Sequence, residues 1–162
     1  MTEAYEWRVD DEVEMRRLGE RLGALLRPGD AVLLEGPMGA GKTTFAAAVG
    51  KGAGVTQPMT SPTYVLRQEH RGRFRVAHFD LYRLYGDPER PETLDVEGVW
   101  ALGLDDDLAG GAILLIEWPG PLADEIDAYL RILIRPEGAS RRVRAEAWGK
   151  RPELILKEWT AS

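Results

Sequence analysis

At 162 residues, with 44% hydrophobic and 30% charged residues, the chain is long enough for one domain with a real core and too short for two comfortable ones. It has no cysteine, which excludes disulfides and thiolate metal sites. A net charge of −6 argues against wholesale binding to nucleic acid, and no apolar run approaches the roughly 20 residues of a membrane span. The first residues also lack a basic-then-apolar signal pattern, so a cytoplasmic protein with no membrane partner is expected.

In chain order, Tyr5–Val9 alternates as a short strand. Asp11 with Glu14 three residues on is a capping-box-like helix start, and Val13, Leu18, Leu22, Leu25 and Leu26 mark one side of a helix ending before Pro28. Ala31–Glu35 is an apolar run that reads as a buried strand. Residues 36–43, Gly-Pro-Met-Gly-Ala-Gly-Lys-Thr, then fit G-x-x-x-x-G-K-[ST] without mismatch. The Ala-rich run 43–53 follows as a helix. Strand, glycine loop and helix form the setting in which this motif grips a nucleoside triphosphate. Gly36, Gly39, Ala40 and Gly41 turn backbone N–H groups into one concavity, Lys42 should reach the β- and γ-phosphates, and the Thr43 hydroxyl should ligate Mg²⁺.

Residues 55–62 read as a loop. Tyr64–His70 and Arg73–Phe79 are strand-like runs around a hairpin at Arg71-Gly72. Residues 81–98 are polar with short helical pieces, and Trp100–Leu108 reads as one short helix. Ile113–Trp118 is the most apolar strand. Tyr129–Arg135 and Arg141–Trp148 form a last strand pair, and residues 149–162 suggest a helical extension to a single domain spanning 1–162. The pattern predicts an α/β sheet with a parallel core and flanking antiparallel strands, with ligand at the carboxyl ends of the central strands.

A phosphate loop of this kind needs an acid for Mg²⁺ at the end of an apolar strand. Asp80 ends one such run and Glu117 the other, and either or both could be the metal-binding or catalytic acid. Ser61 and Thr63 lie where a γ-phosphate sensor often sits, or simply form a turn. Trp118 could cover the nucleotide, face a partner or fill the core. His78 reads as a strand residue near the site, His70 as hairpin surface. Arginines cluster at 67–75 and 131–144, while residues 91–130 carry acids and no Lys or Arg. These are either solvated faces or oppositely charged faces that orient a partner.

The chain has no asparagine, hence no Asn-Lys-x-Asp guanine-reading element, which favours ATP. The motif alone leaves three readings open: an ATPase acting on a partner, a small-molecule kinase with Asp80 as base, or a nucleotide-gated binding module. Residues 36–44, Ser61-Pro62-Thr63-Tyr64, His78-Phe79-Asp80-Leu81-Tyr82-Arg83 and Ile116-Glu117-Trp118-Pro119 together resemble the TsaE (YjeE) family from about residue 10 to about 150. That resemblance implies a small P-loop fold and a weak ATPase needed for threonylcarbamoylation of adenosine 37 in tRNAs reading ANN codons. It implies TsaD and TsaB as partners, with tRNA reached only through their complex. By motif it places Lys42, Thr43 and Thr44 at phosphate and Mg²⁺, Asp80 and Glu117 as metal or catalytic acids, and Trp118 beside the nucleotide.

Overall fold

The computed structural model describes residues 2–59 and 66–161. Seven strands form one sheet: β1 (Glu3–Val9), β2 (Ala31–Glu35), β3 (Arg67–Arg71), β4 (Arg75–Asp80), β5 (Ile113–Glu117), β6 (Tyr129–Glu137) and β7 (Ser140–Trp148). Their order is β1-β7-β6-β2-β5-β4-β3. β2 runs parallel to both β5 and β6, and β4 runs parallel to β5. The outer pairs β1–β7, β6–β7 and β3–β4 are antiparallel. The parallel core with antiparallel flanks is therefore as the sequence predicts. Its physical reason is visible in β5, where Ile-Leu-Leu-Ile-Glu is buried at every position, as a strand covered on both faces must be.

Two apolar cores lie on opposite faces. One packs α1 (Glu12–Leu25), α2 (Lys42–Gly52) and α5 (Lys150–Ala161) on Val32, Leu34, Leu115 and Ile132. The other packs α3 (Val96–Ala101), α4 (Leu104–Ala109) and several 3-10 turns on Leu33, Phe79, Leu114 and Ile116. Asp11 caps α1 by accepting from the Glu14 N–H at 2.8 Å, and the Glu14 carboxylate reaches back to the Asp10 N–H at 2.8 Å. α1 and α2 touch backbone to backbone: a Cβ on Gly23 would stand 2.0 Å from the Val49 carbonyl oxygen.

α5 is part of the core. Trp159 is wholly buried, donates Nε1–H to the Leu18 carbonyl at 3.1 Å and packs 4.4 Å from Trp7.

Three expectations change. The helix foreseen over Trp100–Leu108 is two helices, α3 and α4, separated at Gly103, whose φ of +93° stops a continuous helix. Tyr64 and Val65 lie outside the described residues, and the strand there begins at Arg67. The arginines of the hairpin do not form a free basic face. Arg67 and Arg75 both bond Asp107 from the acidic stretch, at 2.6–2.8 Å, and Asp107 is buried. Arg73 bonds the Gly52 and Gly23 carbonyls, setting a cation at the end of α2. In the second cluster Arg131 pairs with Glu35, Arg142 with Glu6 and Glu137, and Arg144 with Glu6 and Glu146. Strand register sets Glu6 opposite Arg144 and Arg131 opposite Glu146, which linear charge counting does not show.

Candidate functional site

The carboxyl ends of β2, β4 and β5 lie side by side, and the loop 36–41 leaves the first of them. Two glycines are needed there for distinct reasons. A Cβ on Gly36 would stand 2.2 Å from the Ile134 carbonyl oxygen of β6, and Gly41 begins α2 in the left-handed region at φ +107°. Gly39 and Met38 are exposed at the tip, while Ala40 is buried beneath it.

Lys42 opens α2 and is 5% exposed, so its ammonium is almost wholly served by protein. Nζ donates to the Gly36 carbonyl and, at 2.9 Å, to the Pro37 carbonyl, and stands 4.3 Å from the centre of the Trp118 ring. Burial pulls the ammonium pKa down, and the Glu117 and Asp80 carboxylates pull it partly back up. Lysine, glycine loop and both acids thus share one electrostatic environment.

Thr43 donates its hydroxyl to Glu117 Oε1 at 3.1 Å. Asp80 is the register partner of Glu117 across β4 and β5, and its Oδ1 accepts from the Tyr82 N–H at 3.2 Å. Thr44, one residue further, lines the outer flank of the loop. There a cleft of about 280 Å³ opens between Gly39–Gly41 and the residues Asp10, Asp11, Met15 and Arg141. Arg141 Nε anchors its wall by donating to the Ala40 carbonyl at 3.2 Å. Thr63 and Ser61 lie outside the described residues.

Trp118 is half-buried at the rim, with φ of +59°, a conformation that costs a non-glycine residue roughly 1–3 kcal/mol. Its N–H donates to the Leu34 carbonyl at 3.2 Å, and its carbonyl accepts from the Tyr85 hydroxyl at 2.9 Å. Tyr82 and Tyr85 meet its ring edge-on at 5.0 and 6.3 Å. Burial, with the Glu35 carboxylate nearby, pushes the Tyr85 phenol up to about 12, so it stays a donor at physiological pH.

Alternation sorts the His-Phe-Asp-Leu-Tyr-Arg block. Phe79 and Leu81 go into the α3/α4 core, while His78 and Asp80 lie on the face that carries Glu117. His78 Nε2 lies 2.7 Å from Glu117 Oε2, a bond the sequence did not disclose beyond placing His78 near the site. Tyr85 and Tyr82 were also missed, since nothing local to them signals an indole neighbour.

Thr43, Glu117 and Asp80 offer only oxygen donors, as Mg²⁺ prefers. Among the described residues no group of three or more acids or histidines would hold a metal unaided.

Known proteins share this sequence and this fold. The profile of the family described as threonylcarbamoyl adenosine biosynthesis protein TsaE matches residues 9–144. The tRNA threonylcarbamoyladenosine biosynthesis protein TsaE of Bacillus subtilis is 31% identical over 155 residues, covering 94% of this chain and 91% of that one. The protein of the same name from Mycobacterium leprae is 42% identical over 123 residues, covering 72% and 71%. The crystal structure of Bacillus subtilis YdiB superposes with a TM-score of 0.80 at 26% identity, covering 99% of this chain and 97% of that one, so α5 has its place in the shared fold. On fold, motif order and this match over most of its length, the chain belongs to the TsaE family of tRNA threonylcarbamoyladenosine biosynthesis proteins.

Proposed function

We propose that the chain binds ATP with Mg²⁺ on the loop 36–43 and hydrolyses it slowly, and that this acts on the TsaD–TsaB pair during threonylcarbamoylation of adenosine 37. The observation that carries the reading is the meeting of Lys42, Thr43, Glu117 and Asp80 at the ends of three adjacent strands. ATP with its Mg²⁺ supplies the triphosphate and the Lewis acid. The chain supplies the rest. Lys42 turns its ammonium from the Gly36 and Pro37 carbonyls toward the phosphates, and loop N–H groups and the start of α2 face the same anion. Thr43 and Glu117 would hold the ion, and Asp80 would orient the attacking water. The cleft between the loop and Arg141, Asp10 and Met15 offers room beside the phosphates for the rest of the nucleotide. Trp118 closes the phosphate side.

The test is ATP turnover, alone and with the TsaD–TsaB pair. A rate that the pair raises supports the reading, and a rate indifferent to the pair counts against a partner-directed ATPase. Transfer of phosphate to a metabolite in cell extract would instead favour the kinase reading of the same loop.

A further inference from the structure

Glu117 is 2% exposed, so its carboxylate depends on protein donors and not on water. Among the described residues two act on it: the Thr43 hydroxyl on Oε1 at 3.1 Å and the His78 ring on Oε2 at 2.7 Å. Lys42 does not replace either: two of its three ammonium protons go to the Gly36 and Pro37 carbonyls, and no bond joins it to Glu117 among the described residues. An ionised carboxylate only accepts, so Nε2 is the donor. Nδ1 is buried and has no hydrogen-bond partner among the described residues, so none of these draws the ring away from Glu117. His78 is 1% exposed, wedged in β4 opposite Leu115, two positions behind the Asp80–Glu117 pair. An imidazole so enclosed has little freedom to turn away.

We infer that His78 is a positioning residue: by holding Oε2, it fixes Oε1 as the oxygen presented to Thr43 and to the ion Thr43 serves. The inference rests on Glu117 being the acid of the nucleotide site. A side chain that merely fills the core would affect stability. A positioning residue affects turnover through the bond alone.

The test compares His78→Leu, which keeps bulk without a donor, with His78→Gln, whose amide nitrogen can reach the carboxylate. The Leu variant should lose about 10–100-fold in kcat with KM for ATP unchanged, and the Gln variant should recover most of it. The nucleotide-free protein gives an independent reading, because the chain has only two histidines. One should show a slowly exchanging Nε2–H proton in NMR, kept in His70→Gln and lost in Glu117→Ala. Wild-type kcat in the Leu variant overturns the inference. So does a Gln variant no better than Leu, or a joint fall of kcat, ATP affinity and melting temperature in both. Absence of turnover in the wild type would refute the ATPase reading instead, and the ring proton would still decide for or against the bond.

Discussion

Two acids, Glu117 at the loop end of the sheet and Asp107 on α4, are each 2% exposed, yet they are held in opposite ways. Asp107 is gripped by two guanidiniums, Arg67 through two nitrogens and Arg75 through one. Burial pushes its carboxyl pKa up, but the Arg67 and Arg75 bonds outweigh this and hold it below the ordinary carboxylate range. That cluster is electrostatically closed and ties α4 to the β3–β4 hairpin. Glu117 is held instead by a hydroxyl and an imidazole, while the nearby ammonium of Lys42 bonds backbone carbonyls. A permanent ion pair at Glu117 would compete with any ligand needing that lysine or that acid. Equal depth therefore does not mean equal pairing: the charge of the donors separates the closed cluster at Asp107 from the carboxylate at Glu117.

The largest effect should separate the two regions outright. Lys42→Ala should weaken ATP binding at least about 100-fold, since the phosphates lose a charge-assisted donor, while Asp107→Ala should leave affinity intact. Calorimetry that finds tight ATP binding by the Lys42 variant would remove the loop from the proposed function. Next, Glu117→Gln should lower turnover about 10²–10³-fold with nucleotide still bound, a smaller loss in Asp80→Asn marking it as the helper. Equal turnover in wild type and Glu117→Gln would contradict the contrast drawn here.

Asp107→Ala should act on stability, costing about 2–3 kcal/mol in urea unfolding because two partly buried guanidiniums lose their buried acceptor and keep only the more exposed Glu69. The pH dependence sharpens this. A carboxylate whose folded pKa is depressed stabilises the fold above its unfolded value of about 3.9, and that gain is lost as pH falls through the lower folded value. The gap between wild type and Asp107→Asn should therefore be full near neutrality and shrink in acid below about pH 4. A gap that widens in acid would mean that the arginine pair is not its cause. The smallest effect concerns Trp118. Trp118→Phe should change ATP affinity by about 1 kcal/mol or less, yet abolish the change of intrinsic fluorescence on adding nucleotide. A change that persists would assign the signal to another of the five tryptophans.

The loop, the two acid-tipped strands and the mixed sheet were legible because each rests on local pattern: glycine spacing, an unbroken apolar run, alternation. His78 was legible by half. Its period-2 relation to Asp80 puts it on the right face, but its bond to Glu117 spans 39 residues and depends on the β4–β5 register. Nothing in the run Asp105-Asp106-Asp107 tells its members apart until α4 turns Asp107 inward. The terminal helix could be read as a helix, but its burial through Trp159 against Trp7 and Leu18 could not.

By itself the sequence determined which short segments curl, extend or turn, and it put a phosphate-type loop before a helix. Tertiary structure alone decided which charges cancel, that Lys42 lies under Trp118, and which donors hold Glu117. The reason is physical: backbone preference acts over a few neighbouring residues, whereas a carboxylate's partners are chosen by strand register across most of the chain.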